Sequence, residues 1–215
     1  MIKEDSAAIF FEGLAPDIPE ALLDIRDEAL ADDVPIIRSS AAALLRFFIR
    51  TRRPEKILEI GTGTGYSALT MWEASGRSAH ITTIEKYEKR IPKAKENFES
   101  YGAAGSIELL EGDAADILKE LKGEYQFIFM DAAKGQYLHF FPEIMRLLSP
   151  GGMLVSDNIL QDKDMLRSRY AVRRRDRTIH ARMREYLYTL SHNDELETLF
   201  LEDGDGMSVS VKKES

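Results

Sequence analysis

Two short stretches put oxygen-bearing side chains where an open sheet gathers ligands. MDAAKGQY (130–137) holds Asp131 and Lys134, and VSDNIL (155–160) holds Asp157 and Asn158. Each continues an apolar run of strand character, and in an open parallel sheet ligands collect at the carboxyl ends of strands. Asp131, Asp157 and Asn158 should therefore converge. Two carboxylates and an amide oxygen are hard donors that leave octahedral positions open for water or substrate oxygens, the arrangement Mg²⁺ prefers. Zinc is disfavoured, because the chain has no cysteine and its four histidines, His80, His139, His180 and His192, are scattered and expected on the surface or on helix faces. The bland alternative is a solvated Lys134 beside an Asx turn at Asp157-Asn158.

A third stretch, ILEIGTGTGYSALTM (57–71), sets Gly61, Gly63 and Gly65 between a strand and a helix. Glycine lets the backbone turn sharply and approach a ligand closely, and a helix N-terminus offers unpaired N–H groups to negative charge. A dinucleotide fingerprint needs G-x-G-x-x-G, but residue 66 is Tyr. Tyr66 and the two acids together argue against an NAD-dependent oxidoreductase. A cofactor-binding module without catalysis is a further alternative.

These residues need a frame. Apolar spacing predicts helices over 19–31 and 35–50, and then the pattern alternates. Strands are predicted at KILEI, AHITTIE, SIELLEG, YQFIFMD and GMLVSDN, with helices between them over 67–73, 86–101, 114–121 and 136–148. Such alternation implies βαβ units and a parallel sheet. One long, polar, Arg-rich helical region is expected over about 162–191, followed by LETLFLED and GMSVSVKK, an antiparallel edge hairpin joined by a tight turn at 203–206. The expectation is one α/β domain over 1–215, in which 1–50 forms a helical appendage.

At 215 residues the chain can bury a sizeable single core, and its composition is that of an ordinary globular protein without a membrane span. The missing cysteines fit a reducing compartment, and the first residues, acidic and lacking a long apolar stretch, do not read as a secretory leader; the expected location is the cytoplasm. Net charge is −8, yet RSRYAVRRRDR (167–177) alone carries six Arg and one Asp. An acidic body thus bears one basic segment, either a phosphate-binding surface or a solvated stretch paired with acids.

Glu59 followed by the three glycines resembles the first motif of class I S-adenosylmethionine-dependent methyltransferases, and Glu85, Asp113 and Ala114 close the next two strands as in that family. The trio Asp131, Asp157 and Asn158, with Lys134 three residues after the first acid, is similar to the signature of the Mg²⁺-dependent O-methyltransferases that include catechol and caffeoyl-CoA methyltransferases. The likeness runs over about residues 35–212. It implies a Rossmann-like class I fold with a mostly parallel seven-stranded sheet. It implies cofactor contacts from Glu59, Gly61, Gly63, Ser67, Glu85 (both ribose hydroxyls), Asp113 and Ala114 (adenine), Asp131, and Ile37, which stands where relatives carry Met. It further implies a cation that chelates two adjacent substrate oxygens, with Lys134 and Asp131 as catalytic residues and Lys134 taking the hydroxyl proton.

A narrower resemblance is carried by DAAKGQY-x-x-FF, the DN-I-L strand end, the RRR-x-R cluster and the terminal GDG-x-x-x-S-x-KK pattern. These are similar to bacterial tRNA 5-hydroxyuridine methyltransferases, which complete 5-methoxyuridine at the wobble position. The resemblance implies the tRNA anticodon arm as substrate, met by Arg167, Arg169, Arg173, Arg174, Arg175 and Arg177, with Tyr170 stacking on a base. The alternative acceptor is a small catechol or caffeoyl-type diol. Against it, Ser208 occupies the position where catechol enzymes carry a ring-orienting acid. Relatives are commonly homodimers, and Ile9, Phe10, Phe11 and Leu14 are candidate interface residues.

Overall fold

The computed structural model describes residue 14 and residues 18–160, 164–168, 170–202 and 204–214. Helices α1 (Glu20–Ala31) and α2 (Ser39–Arg52) precede a run of alternating elements: β1 (Lys56–Ile60), α3 (Tyr66–Ala74), β2 (His80–Glu85), α4 (Ile91–Ser100), β3 (Ile107–Glu111), α5 (Ala114–Glu120) and β4 (Tyr125–Met130). A 3-10 turn (Lys134–Gln136) then leads into α6 (Tyr137–Leu147), β5 (Leu148–Ser156), α7 (Arg177–Ser191), β6 (Leu196–Leu201) and β7 (Met207–Lys212).

The seven strands form one sheet in the order β3-β2-β1-β4-β5-β7-β6. Pairs among β1 to β5 are parallel, and β7 runs antiparallel to both β5 and β6. The anticipated Rossmann-like architecture is thus present, with β6 at the edge and β7 inside. Alternation along the strands splits the apolar residues between two faces. Ile57, Phe127, Phe129 and Val155 join α1 to α4 in one core; Leu58, Ile128, Met130 and Leu154 join α5, α6 and α7 in the other. Helices α1 and α2 accordingly pack into the same core as the sheet, through Leu22, Ile25, Leu45 and Ile49.

The order reverses between β1 and β4, so the chain leaves the sheet there in opposite directions. That switch point is where an open α/β sheet opens a crevice. Gly61 follows β1 and Asp131 follows β4, and the Asp131 N–H donates to the Ile60 carbonyl at 2.9 Å.

Three expectations are corrected. The helix foreseen over 86–101 begins only at Ile91, because the Glu85 carboxylate captures the Lys86 and Tyr87 N–H groups at 2.9 and 2.8 Å and holds them out of helical register. The long helix over 162–191 is α-helical only from Arg177 to Ser191, preceded by 3-10 turns at Asp164–Leu166 and Arg174–Asp176. Like charges four apart, as at 173 and 177, oppose a continuous helix, and the Arg177 guanidinium instead folds back onto the Val172 and Tyr170 carbonyls at 3.2 and 3.3 Å. His180 lies on a helix face, the buried face of α7 that also carries Met183, Tyr186 and Leu190. The other three histidines are exposed. Between β6 and β7 the connection is wider than a tight turn, and Asp203 lies outside the described residues.

Candidate active site

One cavity of about 470 Å³ opens at the switch point, and its lining includes Ile37, Gly61, Gly63, Ser67, Glu85, Asp113, Ala114, Asp131, Asp157 and Asn158. Residues from five strand ends and from the segment before α2 therefore meet in one place. Glu59 and Lys134 are not in that lining.

Gly61 turns the chain with φ +101, and a β-carbon there would stand 2.1 Å from the Asp131 carbonyl oxygen. Only glycine lets the loop after β1 lie against the end of β4. The loop is pinned further by the Gly63 N–H donating to Glu85 Oε2 at 2.8 Å and by Asn97 Nδ2 donating to the Thr64 carbonyl at 2.8 Å. Glu85 thus holds three N–H groups. Asp113 caps α5 through the Ala115 N–H at 2.9 Å and lies 3.3 Å from Lys86 Nζ, and both contacts hold its carboxyl below the usual range.

Glu59 is fully buried behind the loop, where its carboxylate accepts from the Ser67 and Thr83 hydroxyls. Its role here is to join β1, β2 and the start of α3. Burial pushes its pKa from 4.5 to about 8, outweighing those two hydroxyls. An acid whose folded-state value is raised contributes stability that is complete below its unfolded value near 4.5 and is lost as pH climbs towards about 8. Thermal melts of Glu59→Gln and wild type across this range should diverge in favour of the variant as pH rises, then run parallel above it. Curves parallel throughout would contradict the assignment.

At the other end of the cavity Asp131 and Asp157 face each other. Asp157 is 7% exposed; its N–H donates to the Met130 carbonyl at 3.0 Å, which seats it beside the end of β4. Burial and the neighbouring Asp131 carboxylate raise its pKa to about 7, and burial raises Asp131 as well. Asn158 has φ +59, a left-handed conformation that Asn tolerates. Its Nδ2 donates to Asp131 Oδ1 at 2.8 Å, and its N–H donates to Asp157 Oδ1 at 2.7 Å. Two crowded acids pushed towards protonation leave a site in which a cation would relieve both. Among the described residues no group of three or more His, Cys, Asp or Glu could hold a metal ion. The third donor would have to be the Asn158 amide, whose oxygen faces Asp131 after a half-turn of its last torsion. That hard-oxygen set fits Mg²⁺.

Lys134 sits half-buried on the 3-10 turn, and its positive charge partly opposes the rise that burial imposes on Asp131 and Asp157. Among the described residues of the arginine segment, none lines the cavity. Arg173, Arg174 and Arg175 are exposed, with Arg175 3.6 Å from Asp176, while Arg177 is spent on the local fold. The Arg167 carbonyl meets His180 Nε2 at 3.2 Å, and Arg169 lies outside the described residues. Ile9, Phe10 and Phe11 also lie outside them, and Leu14 is exposed. Among the described residues no helix is long and apolar enough to cross a membrane.

Sequence reasoning missed two features. Arg38 and Asp205, 167 residues apart, pair at 2.8 Å on the cavity rim. Nothing local links them. Tyr137 is completely buried beneath the acids, and its place at the end of DAAKGQY was the available signal.

The O-methyltransferase family profile matches residues 16–213. A catechol O-methyltransferase of Niastella koreensis is 30% identical over 153 residues, 68% of this chain and 69% of that enzyme. Among solved structures, the SAH-bound Podospora anserina methyltransferase PaMTH1 is 27% identical with a TM-score of 0.87, covering 100% of this chain and 98% of that one. A Staphylococcus aureus protein provisionally assigned as a caffeoyl-CoA O-methyltransferase is 28% identical with a TM-score of 0.86, covering 97% and 98%.

Proposed function

Since this chain belongs to the O-methyltransferase family and is a SAM-dependent enzyme of the catechol and caffeoyl-CoA type, we propose that it works with Mg²⁺ on the 5-hydroxyl of 5-hydroxyuridine at the wobble position of tRNA, giving 5-methoxyuridine. The observation that carries the metal is the seating of Asp131, Asp157 and Asn158 in the same cavity as the glycine loop. The 5-hydroxyl of this base adjoins the C4 carbonyl, so it offers the same five-membered chelate as a catechol.

When bound, S-adenosylmethionine supplies an electrophilic sulfonium methyl and Mg²⁺ lowers the pKa of the acceptor hydroxyl while fixing its position. Asp131, Asp157 and Asn158 hold the cation. Gly61 and Gly63, whose N–H groups are committed to the Ile84 carbonyl and to Glu85, let the backbone lie close against the donor, and Glu85 takes the ribose hydroxyls. Ile37, Ser67, Asp113 and Ala114 complete the donor's surroundings. In its neutral amine form Lys134 takes the hydroxyl proton at Nζ as the methyl passes from sulfur to oxygen, a transfer by a positioned base worth roughly 10² to 10⁴ in rate. Among the exposed arginines, Arg173, Arg174 and Arg175 meet the phosphates of the anticodon arm. The exposed Tyr170 is a base-stacking partner. The protein acts in the cytoplasm as a homodimer.

Salt dependence tests the substrate. Each arginine that contacts phosphate on single-stranded RNA should steepen the fall of log affinity with log salt by about 0.7. Replacing Arg173, Arg174 and Arg175 with Ala should therefore flatten the slope for tRNA and leave methylation of a free catechol untouched. Equal losses on both acceptors would count against the RNA reading. The catechol reading is favoured by the Niastella koreensis relative. Nucleoside mass spectrometry of tRNA from cells lacking the protein, incubated with it, methyl donor and Mg²⁺, decides between the two.

A further inference from the structure

Behind the two acids, rather than among them, stands an aromatic brace. Tyr137 opens α6 directly after the turn that carries Lys134, and its side chain is wholly buried. Its hydroxyl oxygen lies 3.1 Å from the Met130 carbonyl and 3.1 Å from the Asp157 carbonyl. The first of these belongs to the peptide that enters Asp131. The second belongs to the peptide that leaves Asp157 and enters Asn158. One hydroxyl thus grips the backbone beside all three candidate metal ligands.

The junction is tight. Met130 offers its carbonyl both to this hydroxyl and to the Asp157 N–H, so the ends of β4 and β5 are tied twice at one point. The Tyr137 ring meets Tyr186 edge-on at 5.5 Å between centroids, and Tyr186 in turn meets Phe141 at 6.0 Å. The Tyr186 hydroxyl lies 2.7 Å from Ser156 Oγ, one residue before Asp157. Two buried carboxylates of like charge tend to move apart, and Asn158 links them, its Nδ2 donating to Asp131 and its N–H to Asp157. Where those carboxylates start from is set by the backbone that Tyr137 ties.

We propose that the Tyr137 hydroxyl is a positioning group that sets the separation of Asp131 and Asp157 and so tunes affinity for a divalent cation; this rests on the cation reading given under Proposed function. Groups that orient ligands without touching the metal are commonly worth about 10- to 100-fold in metal affinity or activity. Removing only the oxygen leaves the ring contacts with Tyr186 in place, which makes Tyr137→Phe the informative change.

The experiment is a Mn²⁺ titration followed by electron paramagnetic resonance, alongside calorimetric titration of S-adenosylhomocysteine without metal. Tyr137→Phe should bind Mn²⁺ about tenfold more weakly than wild type, with its homocysteine-nucleoside affinity unchanged. Tyr186→Phe, which removes the neighbouring hydroxyl of the same brace, should lose much less. Unaltered Mn²⁺ affinity in Tyr137→Phe overturns the inference. So does an equal loss of both ligands, or an equal loss in Tyr186→Phe, since each would mark a loosened core rather than a set spacing. If wild type itself binds no Mn²⁺, the cation reading fails first, and the inference falls with it.

Discussion

Asp157→Ala should lower turnover by about three orders of magnitude, the rate equivalent of the several kcal/mol that a metal contributes to transition-state charge stabilisation. Asp157 is the more buried of the two acids, and Asp205, a further carboxylate that lines the cavity, is paired with Arg38 at 2.8 Å. The cofactor loop is built from β1 and β2 and does not depend on this side chain. Calorimetry should therefore find S-adenosylhomocysteine binding close to wild type. The variant is also expected to be more stable towards alkali, because burial and the adjacent Asp131 raise the Asp157 pKa to about 7. That raised value means the native acid contributes stability that is complete below its ordinary range and fades as pH rises through about 7. Persistent activity in the variant, or in wild type with EDTA, would remove the metal from the chemistry.

Gly61→Ala is expected to do wider damage. The added β-carbon would fall 2.1 Å from the Asp131 carbonyl oxygen, and φ is +101. Backbone of that kind costs a substituted residue of order 1–3 kcal/mol before any clash is counted. Relief requires β1 and β4 to separate at their ends, which displaces the loop and the first acid together. The thermal midpoint should drop by roughly 5–10 °C, and cofactor affinity and turnover should both collapse. Gly63→Ala is the control, since nothing lies within 4 Å of its β-carbon and only the conformational cost at φ +56 applies. Similar losses in both variants would mean that the approach to Asp131 is not what selects glycine at residue 61.

The frame was largely readable in the order of residues because its signals are local. Short β-like runs between helical stretches marked the strands, and Gly61 marked the turn after β1. Acids just past apolar runs marked the crevice. Reading failed where tertiary contacts decide. Charge along 167–177 has no helical period, and the side chain of Arg177 selects a fold of the segment that no window of sequence would show. Pro92, in the first turn of α4, was a signal that could have moved its start. Glu59 shows a different gap: its place in the motif was plain, but its partners Ser67 and Thr83 come from two other elements. Arg38 and Asp205 meet only after the whole sheet has formed.

The position of β7 between β5 and β6 has a bearing on assembly. Ser156 and Ser208 face each other across that pairing, and both are buried. A polypeptide cut after α7 would present the strand that carries Asp157 as a bare border, with its polar groups open to water and to any passing strand. The glycine loop is encoded early and Asp157-Asn158 late, so on a ribosome the loop would emerge well before the second acid that shares its crevice.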